Sequence, residues 1–542
     1  MKKLAIVLAV VVLVLGVLVA REYLLPAKAL KHPHIVLIVI DTLRADHVSA
    51  YGYTRQTTPT LDLLASRRLL FENAHAPTSW TLPSMATLFT GLPPRTHGIV
   101  EGLQFMGQIV SQHQMSEEFD TLAERLFAAG YETFGYSTNA HVTRQTGFAQ
   151  ASPSSRRPPS PTPRPSKNWS TKTATVSPNA TAKASPTFLY MQLFDPHVPY
   201  MVREPFAKQL APDFDFDAFL NVNAEHGDLM IGLPPDYFDT RPGQLQALRD
   251  AYDSEVAATD DVIGRILAEL PGADDALILM VSDHGEAFYE HKTMLHGFDL
   301  FEETVRVPMI LRPPVTGKPF AAARKTDPVF LEDVVPTLLS AAGATHADLA
   351  GVDIRGAVPK DRAHAFHLKR GPMEQHGAMI WPEKLIVDRY GMQRFYFNLE
   401  DDPGETKNLI DAATPPEKLV TAAEQAWTIE PKVRPIMIHN DQVTMADQLR
   451  SLGYLSPGKS PTADASPSPT PEKTPWYIEL GVCPKIKAIV NECGQNAACV
   501  DPKIEALKED TCPKAESFNF RKKCEFFRVP QTLTRCDSFS TP

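Results

Sequence analysis

The 542-residue chain has no cysteine before residue 483, no C-x-x-C pair, no internal repeat and no basic stripe with interleaved aromatics. The missing basic stripe, with a net charge of −10, argues against nucleic acid as a partner. The six cysteines (Cys483, Cys493, Cys499, Cys512, Cys524 and Cys536) all fall in the last 60 residues. An even number without zinc-type spacing points to a small disulfide-stapled module in an oxidising compartment. Acidic residues are missing altogether from 151–186, where eight prolines and six Lys or Arg stand among few large apolar side chains. Such a composition cannot repay the entropy of ordering, so a disordered surface insertion is expected there. Residues 455–475 read as a linker of the same kind, leading to a cysteine-rich module at 476–542.

What is present begins with MKK and seventeen apolar residues, 4–20, ahead of Arg21. That length is near the lower limit for crossing a bilayer, and no clear A-x-A cleavage site follows. Residues 1–25 are therefore expected to be a membrane anchor or a signal. On the anchor reading the protein is exported and held in the cytoplasmic membrane, facing the periplasm or the cell exterior.

Between these segments lies the texture of an α/β core. HIVLIVI (34–40), TFLYMQLF (187–194) and ALILMVS (276–282) are continuous apolar runs, as expected of strands covered on both faces. Residues 61–70, 121–129 and 245–270 carry helical spacing. The alternation predicts a mostly parallel sheet sandwiched by helices over 33–430. Residues 384–388 and 394–399, separated by RYGMQ, predict a hairpin in a smaller C-terminal antiparallel sheet.

The apolar strands end in polar groups: Asp41 after the first, Asp195-Pro196-His197 after the second, Asp283-His284 after the third. In open α/β sheets ligands bind beyond the carboxyl ends of the strands, so these residues should converge on one crevice. TSWTLPSMATLFTG (78–91) predicts a short helix with Pro83 in its first turn and Gly91 as its stop. Thr81 then stands at a helix N-terminus, where the dipole favours an anion. Asp41, Thr81, Asp283 and His284 form a donor set suited to one divalent cation, Mg, Mn, Ca or Zn. Such a cation acidifies a hydroxyl, which makes Thr81 a candidate nucleophile. Taken one at a time, these residues also suit turns, caps and satisfied histidines.

HIVLIVIDTLRADHVSAYGY, TPTLDLLA, FENAHAPTSWTLPSMATLFTGLPPRTHGI, FDPHVPY, VSDHGEAFYEHKTMLHGFDLFEETVRVPMIL, EDVVPTLLSAAG and FYFNLEDDPGETKNL together resemble the sulfatase branch of the alkaline phosphatase superfamily, over roughly 33–410. The resemblance implies an alkaline phosphatase-like fold and hydrolysis of sulfate or phosphate/phosphonate esters. Asp41, Asp283 and His284 match metal positions, and Thr81 matches the nucleophile. His197 and His296 match groups that touch substrate and assist catalysis, and His291 is a further substrate-binding candidate. The expected partners are sulfated or phosphorylated small molecules, glycans or lipids.

Two departures narrow this. Sulfatases carry Cys or Ser in C/S-x-P-x-R, oxidised to formylglycine, whereas this chain has Thr81-Leu82-Pro83-Ser84-Met85. Oxidising threonine would give a ketone, so formylglycine is not expected. Thr42 also follows Asp41 where many sulfatases place a second acid. Threonine is the nucleophile in relatives that transfer phosphoryl groups to envelope lipids or glycans, which makes transfer the alternative activity. The remaining alternative is a catalytically silent envelope binding protein.

Overall fold

A computed structural model describes residues 32–441, apart from 67–68, 102–103, 107–108, 140, 145, 150–184, 216–236, 316–322, 371–372 and 389–392. Its main sheet has seven strands: β1 (His34–Ile40), β2 (Leu69–Phe71), β3 (Glu132–Ser137), β4 (Thr187–Leu193), β5 (Ala276–Ser282), β6 (Met309–Arg312) and β7 (Ala323–Lys325). They lie in the order β7-β2-β6-β5-β1-β4-β3. β1 runs parallel to both neighbours, β4 and β5, and β3 is parallel to β4; only β6 breaks the pattern, antiparallel to β2 and β5.

Alternation within β1 explains why its sequence is apolar throughout. Ile35, Leu37 and Val39 pack into a core shared with α2 (Thr81–Thr90), α3 (Leu122–Ala128) and α5 (Val334–Ala341). Val36, Ile38 and Ile40 pack on the opposite side, against α1 (Pro59–Ala65) and α4 (Pro242–Glu269). Both faces are dry, so neither set of positions tolerates a polar residue. Thr121 caps α3 through a reciprocal pair with Glu124.

The helix expected over 61–70 is shorter than its spacing implied. It stops at Ala65, and Leu69 and Leu70 enter β2, pairing with Leu311 and Ile310 of β6. Three residues of strand are too few to show a period of two, and sheet pairing overrides the local pattern.

The expected hairpin is present as β10 (Glu383–Asp388) and β11 (Arg394–Asn398), with Glu383 opposite Asn398. β8 (His364–Arg370) and β9 (Met373–Ile380) complete a four-stranded antiparallel sheet. α6 (Glu417–Thr428) lays Leu419 and Ala423 on it, against Ala378, Leu385 and Tyr396. β8 and β9 were hard to read because His364, His367 and His376 are buried where apolar side chains would mark the strands.

The placement in a membrane is corrected. Among the described residues no helix is long and apolar enough to cross one. The segment on which the anchor rested, residues 1–25, lies outside them, so neither anchoring nor export has support in the structure. Nearly all of the proline-rich insertion, the linker at 455–475 and the cysteine-rich module at 476–542 also lie outside the described residues.

Candidate active site

Strand register builds this site. Ile40 stands level with Ser282 on one side and Leu193 on the other, so β1, β4 and β5 end together and Asp41 emerges beside Asp283. Beyond β1 the chain turns sharply at Thr42, whose φ of 54° is unfavourable for a β-branched residue. The turn is held by the Thr42 N–H, which donates to Asp283 Oδ1 at 3.3 Å, and by the Leu43 N–H, which donates to Ser282 Oγ at 2.9 Å. Gly285 is required just after: a side chain there would sit 2.2 Å from the Glu303 carbonyl oxygen.

α2 brings the hydroxyl from another direction. It begins at Thr81, no side chain caps its N-terminus, and Gly91 ends it at a φ of 71°. Thr81 Oγ1 lies 3.2 Å from His284 Nε2, with both residues buried. His284 Nδ1 is 2.9 Å from the Gly285 carbonyl, which can only accept, so the imidazole hydrogen sits on Nδ1. Nε2 thus presents its lone pair toward Thr81 and lies 3.6 Å from both Asp41 Oδ1 and Asp283 Oδ2.

Those two carboxylate oxygens are fully buried and have no hydrogen-bond partner. Ligand atoms of Asp41, Asp283 and His284 lie within 4.8 Å of one another. Two orphaned acids and an imidazole lone pair converging on one point fit a divalent cation. Burial, then mutual repulsion with Asp283, pushes Asp41 well above the usual carboxylate range. Burial likewise raises Asp283 against the opposing influence of His284.

Around this core stand three further histidines. The His296 ring lies 4.6 Å from that of His284 and 4.7 Å from that of His197. His197 hydrogen-bonds the Val198 carbonyl through Nδ1. Burial holds His197 down to about 3, and burial followed by the charge of Arg370 holds His141 down to about 4. His296 is depressed well below the usual range, first by burial and then by His284. All three are neutral at physiological pH. His296 Nδ1 lies 2.9 Å from Glu286 Oε1, and burial raises Glu286 well above its usual range. A protonated Glu286 donates to Nδ1, which leaves the His296 hydrogen on Nε2 as a donor.

Thus Asp41, Thr81, Asp283, His284, His197 and His296 come together. His291 is engaged elsewhere: Nδ1 lies 2.7 Å from Glu303 Oε1, Nε2 lies 3.0 Å from the Glu405 carbonyl, and the ring stacks on Phe301 at 3.8 Å. Sequence reasoning missed Asn139, whose Nδ2 donates to Asp41 Oδ2, and the neighbouring His141. Their signal was a polar group closing a strand, as at the other strand ends, but β3 carries exposed polar residues and did not read as a strand. Met85 is fully buried in apolar core, so no cation stands at that helical position.

A sequence profile of the sulfatase family matches residues 33–344, more than half the chain. The chain belongs to the sulfatase family. The arylsulfatase of Clostridium perfringens is 23% identical over 472 residues, covering 71% of this chain and 92% of that protein. The Delta 4,5-hexuronate-2-O-sulfatase of Bacteroides thetaiotaomicron is 24% identical over 438 residues, covering 71% and 85%. The solved phosphonate monoester hydrolase of Agrobacterium radiobacter superposes with a TM-score of 0.51 at 21% identity, over 78% of this chain and 96% of that one, a likeness of fold. This sulfatase-family protein therefore has the alkaline phosphatase-like α/β fold, with a small C-terminal antiparallel sheet. Its homologues are hydrolases of sulfate esters.

The raised acids of this family member imply competition between protons and cation. Divalent-cation affinity should rise with pH, by up to about tenfold per unit for each proton displaced, until the acids are ionised without the cation. Asn139→Ala should weaken the affinity about 10- to 100-fold by freeing the Asp41 carboxylate to rotate. Calorimetric titration of the parent and variant across pH checks both. A flat profile with an unchanged variant would exclude Asp41 as a ligand.

Proposed function

We propose that the protein is a metal-dependent hydrolase of sulfate or phosphate/phosphonate esters that uses Thr81 as its nucleophile. The observation that carries this reading is Thr81 Oγ1 at 3.2 Å from His284 Nε2, at a helix N-terminus and beside two orphaned buried carboxylate oxygens. Asp41, Asp283 and His284, with the Thr81 oxygen, would hold one divalent cation. When bound, it supplies the positive charge that acidifies the hydroxyl and offsets the ester's negative charge.

Thr81 Oγ gives up its proton to solvent water and forms a bond to the sulfur or phosphorus atom while the bond to the leaving oxygen breaks. The departing alkoxide takes the Nε2 proton of His296 as Nδ1 takes that of Glu286; water then attacks the threonine ester, its proton returning through His296 to Glu286, and Thr81 Oγ departs and is reprotonated by solvent. The α2 N-terminus points its dipole at the charge that develops on the transferred group. Formylglycine has no place in this scheme, because a secondary alcohol cannot yield that aldehyde. Sulfated or phosphorylated small molecules, glycans or lipids are the substrate class. The sulfated hexuronate in the name of one relative supports the glycan reading.

The test is turnover of 4-nitrophenyl sulfate, 4-nitrophenyl phosphate, a bis-nitrophenyl phosphodiester and a nitrophenyl phosphonate, each with Mg, Mn, Ca or Zn and with chelator. Cation-dependent release of nitrophenol from at least one ester is expected. Release from none, or release indifferent to chelation, would refute the proposal.

A further inference from the structure

The assembled site is short of fixed positive charge. His141, His197 and His296 are held neutral, and the nucleophile helix carries Met85, fully buried in apolar core, one turn beyond Thr81. A guanidinium reaches the same cluster from the other direction. Arg370 is the last residue of β8, on the small antiparallel sheet rather than the main one. Its Nη1 donates to the His296 carbonyl at 3.0 Å, and its Cζ sits 4.5 Å over the Phe298 ring.

The fold makes room for this approach. At Gly297, with a φ of 78°, an added Cβ would lie 3.1 Å from Arg370 Nη1 and 3.5 Å from the Trp80 Cβ. The guanidinium therefore rests against Gly297, the residue following His296, and Trp80, which precedes Thr81, packs on the same glycine. Its charge helps to depress His141, His197 and His296 together, so it is felt at all three rings. His296, the donor assigned to the leaving oxygen, stands between Arg370 and His284. Arg370 thus adjoins the residue to which the proposed mechanism assigns the leaving oxygen.

We propose that Arg370 is a substrate-binding residue that pairs with a second anionic group on the alcohol portion of the ester, a carboxylate or a further sulfo or phospho group. A planar guanidinium anchored by one N–H to a backbone carbonyl and steadied on an aromatic ring is preorganised for an oxyanion. The preferred substrates are then esters whose leaving group is itself acidic. This rests on the hydrolase reading for the direction in which substrate lies, and adds the class of alcohol.

Binding tests it without turnover. Benzylsulfonate and 2-carboxybenzylsulfonate, whose carbon–sulfur bond is not an ester, would be titrated into the full chain with a divalent cation added. The parent should bind the carboxylated probe about 10- to 100-fold tighter. Arg370→Ala should erase that preference, and Arg370→Lys should keep part of it. Arg370→Gln, which retains an N–H for the His296 carbonyl, should behave like alanine and serves if alanine prevents folding. No preference in the parent, a preference that survives in Arg370→Ala and Arg370→Gln, or equal weakening of both probes would overturn the proposal. Equal weakening would assign Arg370 to the transferred group instead. An Arg370-dependent preference in a protein that hydrolyses no ester would sustain this inference and sink the nucleophile.

Discussion

Thr81→Ala is expected to lower turnover about a thousandfold or more while leaving the site assembled, a loss of about 4 kcal/mol of barrier reduction. The effect should be this large because, in the proposed mechanism, the hydroxyl is the atom that forms the new bond. Thr81 is buried and begins α2, so removing its methyl and hydroxyl opens a small void but leaves the helix and its dipole in place. Thr81→Ser keeps the hydroxyl and should stay within about tenfold of the parent. The melting temperature, measured beside turnover, separates loss of the nucleophile from loss of fold. Mass spectrometry of quenched parent should find the sulfuryl or phosphoryl group on the Thr81 peptide. Alanine and parent turning over alike would mean that some other group attacks.

Lys384→Met should cost about 3–5 kcal/mol of stability and lower the melting temperature by about 5–10 °C. Lys384 is completely buried on β10, with Nζ 2.8 Å from Glu302 Oε1 and 2.9 Å from Glu405 Oε1. Glu302 also meets His75 Nε2 at 3.0 Å and donates its N–H to Glu405 Oε2 at 2.6 Å. One ammonium thus serves two buried carboxylates, one on the main unit and one beside the small sheet. Methionine matches the stem of lysine and leaves both acids uncompensated. Lys384 and His75 together hold Glu302 well below the usual carboxylate range, while burial raises Glu405 to about 8 in spite of the ammonium.

The pH dependence follows from those directions. An acid whose folded pKa lies above its unfolded value stabilises fully below the unfolded value, and that contribution is lost as pH rises through the folded one. In the variant both carboxylates move upward, so its deficit against the parent should be greater at pH 8 than at pH 5. Melting curves at the two pH values check this. An equal or smaller deficit at pH 8 would mean that the acids find another partner.

Much of this was legible in the sequence because burial on both faces leaves a plain signature. β1, β4 and β5 are uninterrupted apolar runs, and the acids that close β1 and β5 mark where a ligand goes. Thr81 could be placed because Pro83 and Gly91 fix both ends of its helix. Asn139 closes a strand whose outer half is exposed, so neither strand nor site residue stood out. Arg370 reaches His296 from a different sheet, through tertiary packing that no local pattern encodes. His291 stands in the motif-rich stretch after His284, yet its partners Glu303 and Glu405 belong to the seam with the small sheet.

The level ends of β1 and β5 carry a thermodynamic consequence. The two acids are far apart along the chain and meet only when those strands zip together, so the unfolded polypeptide holds no comparable nest for an ion. Any cation captured between them is captured by the native state alone. Each gain in its affinity then becomes, joule for joule, resistance of the whole sheet to being pulled apart.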